Sequence, residues 1–140
     1  MIGELPQPVL QALLESVPIE FSVIDAEDKV LAWNQHETRV FKRPKGVVGR
    51  DVRDCHPQQS LDKVERIIEE MRAGERDKAR FWIDMDLESE GEPQKILIEY
   101  YALRDPQGEY LGCVEVTQNV TEIQDLEGEK RLLDLPPASE

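Results

Sequence analysis

A cysteine and a histidine stand side by side in the stretch DVRDCHPQQS, where Cys55 is followed by His56 and then by Pro57. A thiol activated by an imidazole is a recognised type of nucleophile, and either side chain could be an axial ligand of haem. Pro57 disfavours helical geometry at the residue before it, and in extended backbone neighbouring side chains point to opposite faces. The sequence therefore argues against a joint Cys-His site and predicts that at most one of the two residues points inward.

No other pattern in the sequence indicates a catalytic centre. There is no glycine-rich phosphate loop, no serine-centred elbow and no clustered spacing of metal ligands. Asp84, Asp86 and Glu88 alternate along a predicted strand, which is typical of a solvent face. We therefore predict a protein that is not an enzyme, with no catalytic residue and no metal site. No cofactor is expected, although haem bound by His56 or Cys55 and thiol-based redox sensing through Cys55 stay open as alternatives.

Charge and composition restrict the partners. The chain has 140 residues, which suits one domain, and a net charge of −13. Duplex binding depends on several Lys or Arg contacts to phosphates, and the chain has only a small basic cluster between residues 42 and 50. No apolar run approaches the ~20 residues of a spanning helix, and the start has no secretion signal. We expect a cytoplasmic protein with Cys55 and Cys113 reduced, which binds neither nucleic acid nor membrane.

Hydrophobic periodicity predicts the elements of the first half of the chain. A short amphipathic helix over residues 8–17 is followed by a β-hairpin over residues 19–33, in which Phe21 and Val23 would face the core. Asn34 and the glutamate three residues later fit a capping box, so we predict a short helix over residues 34–41.

The second half of the chain begins with the strongest helical pattern. Ser60 is its predicted N-cap and Gly74 its end. Three alternating strands follow, whose predicted core-facing residues include Phe81, Ile98, Tyr100, Val114 and Val116. Because two strands precede the helical segment and three follow it, the sheet should be mostly antiparallel and covered on one face by the helices.

This order of elements, together with the residues at its joints, resembles a PAS domain over nearly the whole chain. The matching stretches are VIDAEDKVLAWNQ, VVGRDVRDCHP and DPQGEYLGCVEVTQNVTE. A closer likeness is to the PAS domain at the C-terminal end of bacterial and archaeal proteins with hemerythrin-like helical domains. Residues 49–60 and 110–134 carry that likeness, through GRDV…CHP…S and YLG…EVTQ…TEI…LEGEKRLLD.

Three features depart from the patterns of related domains. Signal-transmitting PAS domains often end the last strand in Asp-Ile/Val-Thr, whereas this chain has Asn119, Val120 and Thr121, which puts the usual polar tie to the exit helix in doubt. His36 and His56 are too few for a di-iron site. The flavin-binding cysteine signature Asn-Cys-Arg-Phe-Leu-Gln is absent, which argues against a flavin photosensor.

The resemblance implies an α+β fold with a five-stranded, mostly antiparallel sheet and a helical segment on one face. The implied organisation is an N-terminal cap and dimerisation helix at 1–18, a PAS core at 19–120, an exit helix at 121–134 and a disordered tail at 135–140. It also implies a non-enzymatic sensory module in signal transduction or transcription regulation. Such a module would form a homodimer, accept a small ligand in its core, and bias the exit helix toward an effector domain or protein.

Three sets of residues are candidates for these roles. The ligand pocket would be lined by inward side chains of the strands and helical segment, namely Phe21, Val23, Asn34, Phe41, Cys55, His56, Val64, Ile67, Ile68, Phe81, Ile98, Tyr100, Val114 and Val116. The dimer interface would combine the first helix with one sheet face, namely Val9, Leu10, Leu13, Leu14, Val17, Trp82, Leu97, Tyr101 and Leu103. The signal would pass through Asn119, Thr121, Ile123, Leu126 and Leu133.

Overall fold

A five-stranded antiparallel sheet is the framework of the structure, a computed structural model that describes residues 1–87 and 91–133. Two short 3-10 helices, Lys45–Val47 and Val52–Cys55, precede the main helix. The other elements are α1 (Gln7–Ser16), β1 (Glu20–Asp25), β2 (Val30–Trp33), α2 (Gln58–Arg72), β3 (Lys78–Met85), β4 (Gln94–Arg104), β5 (Tyr110–Asn119) and α3 (Thr121–Gln124). The strand order is β2-β1-β5-β4-β3, and every pairing is antiparallel.

The main helix packs on one face of this sheet, as the sequence predicts. Its buried residues Val64, Ile68 and Met71 meet a sheet surface made by Ile24, Ile96, Ile98, Tyr100 and Cys113. Burying an aliphatic side chain of this size stabilises a fold by roughly 1.5–3 kcal/mol, so this contact dominates the core. The helix begins at Gln58 rather than after Ser60, whose hydroxyl lies in the first turn and donates to the carbonyl of Pro57.

The alternation of β1 and β5 is the reverse of the predicted one. Glu20, Ser22 and Ile24 face α2 and are buried, so Phe21 and Val23 lie on the opposite face of the sheet. In β5 the buried side chains are those of Cys113, Glu115 and Thr117. Val114 and Val116 therefore pair across the sheet with Val23 and Phe21, away from the helix. The assignment of these four apolar residues to the core-side pocket was wrong, because the inward Glu20, Ser22 and Glu115 find charged partners in the loop of residues 34–44.

Residues 34–44, all of which the structure describes, form a loop without a helix. The predicted short helix over residues 34–41 is therefore wrong. Asn34 is buried, and its side chain connects three segments by hydrogen bonds instead of capping a helix. Its Oδ1 accepts from Phe21 N at 2.8 Å, while its Nδ2 donates to the carbonyls of Leu14 at 3.0 Å and Ile19 at 2.6 Å. Asn34 thus joins the end of α1, the start of β1 and the end of β2.

The helix after β5 is shorter than the sequence predicts. It covers only Thr121–Gln124, and residues 125–133 are described without a helix. Leu126 and Leu133, the predicted seam residues, are 78% and 95% exposed. A lone amphipathic helix shorter than about 12–15 residues is marginal in water, so this seam has nothing to stabilise it within the described chain. Residues 88–90 and 134–140, which include the predicted tail, lie outside the described residues.

The junction of β5 and α3 retains a polar tie despite the asparagine. Asn119 Oδ1 accepts from Thr121 N at 3.1 Å, and Asn119 Nδ2 donates to Gln94 Oε1 at 3.1 Å. Thr121 Oγ1 accepts from Lys95 N at 2.8 Å. The amide oxygen of Asn119 therefore makes a polar contact between the last strand and α3 where related domains have a carboxylate. Ile123, the remaining predicted signalling residue, lies in α3 and is 56% exposed.

The first helix is amphipathic but covers little of its own chain. It follows Pro6 at its N-cap and contains Pro8 in its first turn, where a missing backbone N–H costs nothing. None of its residues is buried by the described part of the chain. Val9, Leu13 and Leu14 all remain exposed. Across residues 1–87 and 91–133, none of the helices has the length and apolar character needed to cross a bilayer.

Candidate ligand-binding site

A cavity of about 640 Å³ lies between α2, the 34–44 loop and the inward face of β3, β4 and β5. Its apolar lining comes from the loop, the helix and the two strands β3 and β4, namely Val40, Phe41, Val64, Phe81, Ile83 and Ile98. Its polar lining is Lys42, Arg43, Cys55, His56, Ser60, Tyr100 and Glu115, with Pro57 beside them. The cavity is therefore amphipathic, with apolar walls and a group of ionisable side chains at one place.

Glu115 is the centre of the polar group and is buried, with 7% of its side chain exposed. Its Oε2 accepts a hydrogen bond from the hydroxyl of Tyr100 and lies 3.4 Å from His56 Nε2. Its Oε1 lies 3.6 Å from Arg43 Nη2. Burial opposes ionisation of this carboxyl, but the hydrogen bonds from His56 and Tyr100 and the charges of His56 and Arg43 outweigh it and lower its pKa. Glu115 is therefore ionised at neutral pH.

His56 is held in an arrangement that suits the imidazolium form. Its Nδ1 lies 3.0 Å from the carbonyl oxygen of Val52, and its Nε2 faces the carboxylate of Glu115. Since both ring nitrogens face acceptors, both need a proton to make favourable hydrogen bonds. Burial favours the neutral ring, but the hydrogen bonds to Glu115 and Val52 prevail and raise the pKa of His56.

Tyr100 completes the group from β4. Its hydroxyl oxygen is 3.3 Å from His56 Nε2 and donates to Glu115. Burial is the largest cause that raises the pKa of Tyr100, and the adjacent carboxylate adds to it. The phenol thus stays protonated and serves as a hydrogen-bond donor. The ring of Phe81 stacks on that of Tyr100 with centroids 6.2 Å apart, which helps to hold the Tyr100 ring in this orientation.

A second buried pair fixes the loop that carries Arg43. Glu20 accepts from the backbone N–H groups of Val40 and Phe41. Arg39 donates from Nε to the carbonyl of Phe41 at 2.9 Å and from Nη2 to Ser22 Oγ at 2.9 Å. Burial raises the pKa of Glu20, although the two backbone donors and Arg39 oppose it. These contacts place Phe41 and the residues after it against the sheet, in spite of the loop's lack of regular structure.

The family model described as "PAS domain" matches residues 10–121. The chain belongs to the PAS family. It is similar to the crystal structure of a C-terminal domain from Streptococcus mutans, with 30% identity, a TM-score of 0.77, and coverage of 91% of this chain and 94% of that chain. No curated protein matches the chain significantly.

Two more distant structures share the PAS fold. The PAS domain of BvgS from Bordetella pertussis has 18% identity and a TM-score of 0.61, covering 83% of this chain and 87% of that one. A sensory box sensor histidine kinase from Vibrio cholerae has 16% identity and a TM-score of 0.56, covering 82% and 91%. The α+β PAS-like architecture expected from the sequence is confirmed. PAS domains are in general sensory and non-enzymatic modules, and no catalytic family is indicated.

Half of the predicted pocket residues meet at the cavity of this PAS domain. Those that line it are Phe41, Cys55, His56, Val64, Phe81, Ile98 and Tyr100. Ile67 and Ile68 pack in the core cluster. Asn34 does not line the cavity, because its side chain is hydrogen bonded to the end of α1 and the start of β1. Phe21, Val23, Val114 and Val116 lie on the other face of the sheet. The sequence reasoning missed Arg43 and Glu115, although a single carboxylate inside the otherwise apolar stretch GCVEV was a signal.

Both Cys55 and His56 line the cavity, so the prediction that at most one points inward was wrong. Cys55 ends the second 3-10 helix, and His56 alone is extended, so strand-like alternation does not apply to this pair. The Cys55 thiol lies 3.9 Å from the carbonyl oxygen of Asp51. Burial raises the pKa of this thiol more than the nearby charge of Arg43 lowers it, which is the opposite of an activated thiolate.

The arrangement does not fit a haem bound through His56 or Cys55. A ligating histidine needs one ring nitrogen free for the iron, whereas Nδ1 and Nε2 of His56 are both directed at partners in the chain. The Cys55 sulfur is a protonated thiol rather than a thiolate. Among residues 1–87 and 91–133, no group of three or more His, Cys, Asp or Glu side chains is arranged to hold a metal ion.

Proposed function

We propose that this PAS domain is a sensory module that binds a small molecule in the cavity between α2 and the sheet. The observation that carries the proposal is the set of ionisable side chains at one end of an apolar cavity. Buried ion pairs contribute little net stability compared with well-packed apolar residues, so a fold alone does not need Arg43, His56 and Glu115 there. A binding site does need them, because a few placed polar groups inside apolar walls orient a ligand.

The proposed signal leaves the cavity through β5. Glu115 and Asn119 belong to the same strand, so a ligand that contacts Glu115 acts on the strand that leads into α3. Val120 N donates to the carbonyl of Lys95 at 2.9 Å, and Lys95 N donates to Thr121 Oγ1. The junction is therefore held to β4 as well as to β5. Occupancy of the cavity would thus bias residues 121–133 toward an effector domain or protein.

Native mass spectrometry with an absorption spectrum tests this function on the full chain. We expect a bound small molecule, or site-specific NMR shifts at the cavity with a fragment library, and no Soret band. Ile83→Trp should abolish binding because the larger side chain fills the cavity from the edge strand β3. Leu31→Trp, on the exposed face of β2, is the matched control and should bind as the parent does. A folded parent chain that takes up no mass and shows no shift with any fragment would refute the proposal.

We also propose that the module is a homodimer through α1 and the outer face of the sheet. Trp82 is 62% exposed there, and Leu97, Tyr101 and Leu103 lie on the same face. The first helix has apolar residues that its own chain leaves uncovered. Exposed apolar surfaces of this kind are typical of a partner interface. In a homodimer, α1 and the outer sheet face of one copy would be buried against the second copy.

Light scattering of the variant Leu13→Glu tests the dimer. We expect a monomer at concentrations where the parent chain is a dimer, because the new carboxylate would be buried in the interface without a partner. Val48→Glu is the matched control, since Val48 is similarly exposed but lies outside both α1 and the sheet. A parent chain that is monomeric, or a Leu13→Glu dimer as stable as the parent, would contradict this interface.

We also propose that the domain belongs to a larger regulatory protein. The stretches at residues 49–60 and 110–134 favour the PAS domain of hemerythrin-linked regulatory proteins, where it lies at the C-terminal end. The similarity to a C-terminal domain from Streptococcus mutans supports that position. The two free thiols, Cys55 and Cys113, support a cytoplasmic protein.

A further inference from the structure

The ionisable groups buried around the cavity carry a surplus of positive charge. Arg39 and Glu20 form one buried pair, with Nη2 and Oε2 3.9 Å apart. Arg43 and Glu115 form a second pair at 3.6 Å. Tyr100 and Cys55 are neutral because burial raises their pKa values, so the remaining charge is that of His56. Its two ring nitrogens face a carbonyl and a carboxylate, which favours the imidazolium. The charges within each ion pair cancel, so the imidazolium of His56 gives this group of side chains a net charge of one positive unit. We call this group, Arg43, His56, Tyr100 and Glu115, the cavity floor.

Arg43 has hydrogen-bonding capacity left for a ligand. Among the described residues, the guanidinium donates from Nε to Ser22 Oγ at 3.3 Å, and it also interacts with the thiol of Cys55. Nη2 is 3.6 Å from the Glu115 carboxylate, beyond a good hydrogen bond. A guanidinium offers five N–H donors in a planar fork that matches a carboxylate. The terminal N–H groups at the cavity are therefore suited to an anionic oxygen pair.

A cationic ligand would meet the opposite situation. The one carboxylate in the lining, Glu115, already receives Tyr100 and His56 on Oε2 and faces Arg43 on Oε1. A ligand cation would have to displace one of these groups, and it would lie beside Arg43 and His56. Lys42, exposed and also part of the lining, adds to this repulsion.

The walls define the rest of the ligand. Val40, Val64, Phe81 and Ile98 enclose the space next to the charged floor. A volume of about 640 Å³ accepts a molecule larger than a bare inorganic anion or acetate. Apolar walls would leave the body of a sugar or a polyol without hydrogen-bond partners, at a cost of desolvation. The occupant should therefore have one charged head and an apolar body.

We propose that the ligand of this cavity is a small monocarboxylate with an apolar body, whose carboxylate binds Arg43 beside the imidazolium of His56. This inference rests on the proposed function, because it names the ligand chemistry of the same cavity. The titratable groups that face the His56 ring are Glu115 from β5, Tyr100 from β4, Arg43 from the loop and Cys55 from its own turn. Of these, only His56 changes charge near neutral pH, so anion binding and protonation of His56 favour each other.

Calorimetric titration with octanoate and octanamide tests the charge of the ligand. The two probes share an eight-carbon chain and differ in the charge of the head group. At ~pH 6 we expect octanoate to bind about tenfold more tightly than octanamide, the order of effect of one charge-assisted bidentate contact. As the pH rises through the raised pKa of His56, octanoate affinity should fall, because the imidazolium charge is lost. Octanamide affinity should stay constant within about twofold over the same range.

Three variants separate the groups. Arg43→Gln should remove the preference for octanoate, and His56→Gln should remove the pH dependence while leaving part of the preference. Lys45→Gln, an exposed position in the same stretch that does not line the cavity, is the matched control and should behave as the parent. The pH profile of the parent chain needs no substitution, so it decides the matter even if a variant fails to fold.

The outcomes distinguish this inference from the proposed function. Equal affinities for octanoate and octanamide, or octanoate affinity independent of pH, overturn the monocarboxylate class while cavity binding stands. If neither probe binds but neutral fragments shift cavity resonances, the class is wrong and the sensory function stands. If neither probe nor any fragment binds, both fall together.

Discussion

Gly112→Ala is expected to destabilise the domain by at least about 4 kcal/mol, the range reached only by severe steric or burial defects. Gly112 lies in β5 opposite Asp25 of β1, with φ at +140°, where other residues are strained. A Cβ at this position would lie 2.0 Å from the carbonyl oxygen of Ile24 and 3.0 Å from the Cα of Asp25. Both obstacles are backbone atoms at the end of β1, which pairs with β5, so relief requires separating these two strands there.

Urea unfolding followed by circular dichroism measures the effect, and Gly108→Ala is the control. Gly108 also has a positive φ, +86°, but a Cβ added there would have nothing within 4 Å of it. Its substitution should cost only the conformational strain, about 1–2 kcal/mol. Since typical domains have roughly 5–15 kcal/mol of stability, the Gly112 variant should be largely unfolded under conditions where the Gly108 variant is folded. Equal losses would show that the sheet accommodates the new methyl group.

The sequence predicted the type and order of the strands well, because alternation is a strong signal where one face is apolar. In β3 and β4 the apolar set, including Phe81 and Ile98, does face the helix. In β1 and β5 the same reasoning selected the wrong face. Apolar residues such as Phe21 and Val116 are on the outer face, while the polar Glu20 and Glu115 are buried.

The reason is that burial of a carboxylate depends on partners distant in the chain. Arg39 and Arg43 come from a loop without regular structure, and no local pattern indicates that they reach β1 and β5. Asn34 shows the same limit. Its type and position suit an N-cap, but its side chain instead makes four hydrogen bonds to other parts of the chain. Hydrophobic patterns thus predicted the framework, and the polar half of the candidate site required tertiary contacts.

Glu115→Gln should lower the free energy of unfolding by about 3 kcal/mol at ~pH 6, because removing one partner leaves buried charge uncompensated. Arg43 and His56 would lose their common counter-charge, and Tyr100 its charged acceptor. Glutamine retains the shape and one oxygen, so the effect reports charge rather than a cavity. Glu109→Gln, on an exposed turn, is the control and should change stability by less than about 0.5 kcal/mol.

The pH dependence of this loss has a defined direction. The pKa of Glu115 is lowered by folding, so its contribution is present above the ordinary carboxyl range and is lost as the pH falls through the folded value. The pKa of His56 is raised by folding, so its contribution is complete below about 6.5 and is lost as the pH rises through the folded value. The difference between parent and Glu115→Gln should therefore be largest between these limits and should shrink on the alkaline side.

An NMR titration of the His56 ring gives the independent readout. In Glu115→Gln the burial of the ring remains while its carboxylate partner is gone, so the pKa of His56 should be lower than in the parent. The parent chain, measured under the same conditions, is the reference. If the pKa of His56 is unchanged, the carboxylate does not hold the proton on the ring. The positive surplus at the cavity floor, and the anionic ligand inferred from it, would then lack their cause.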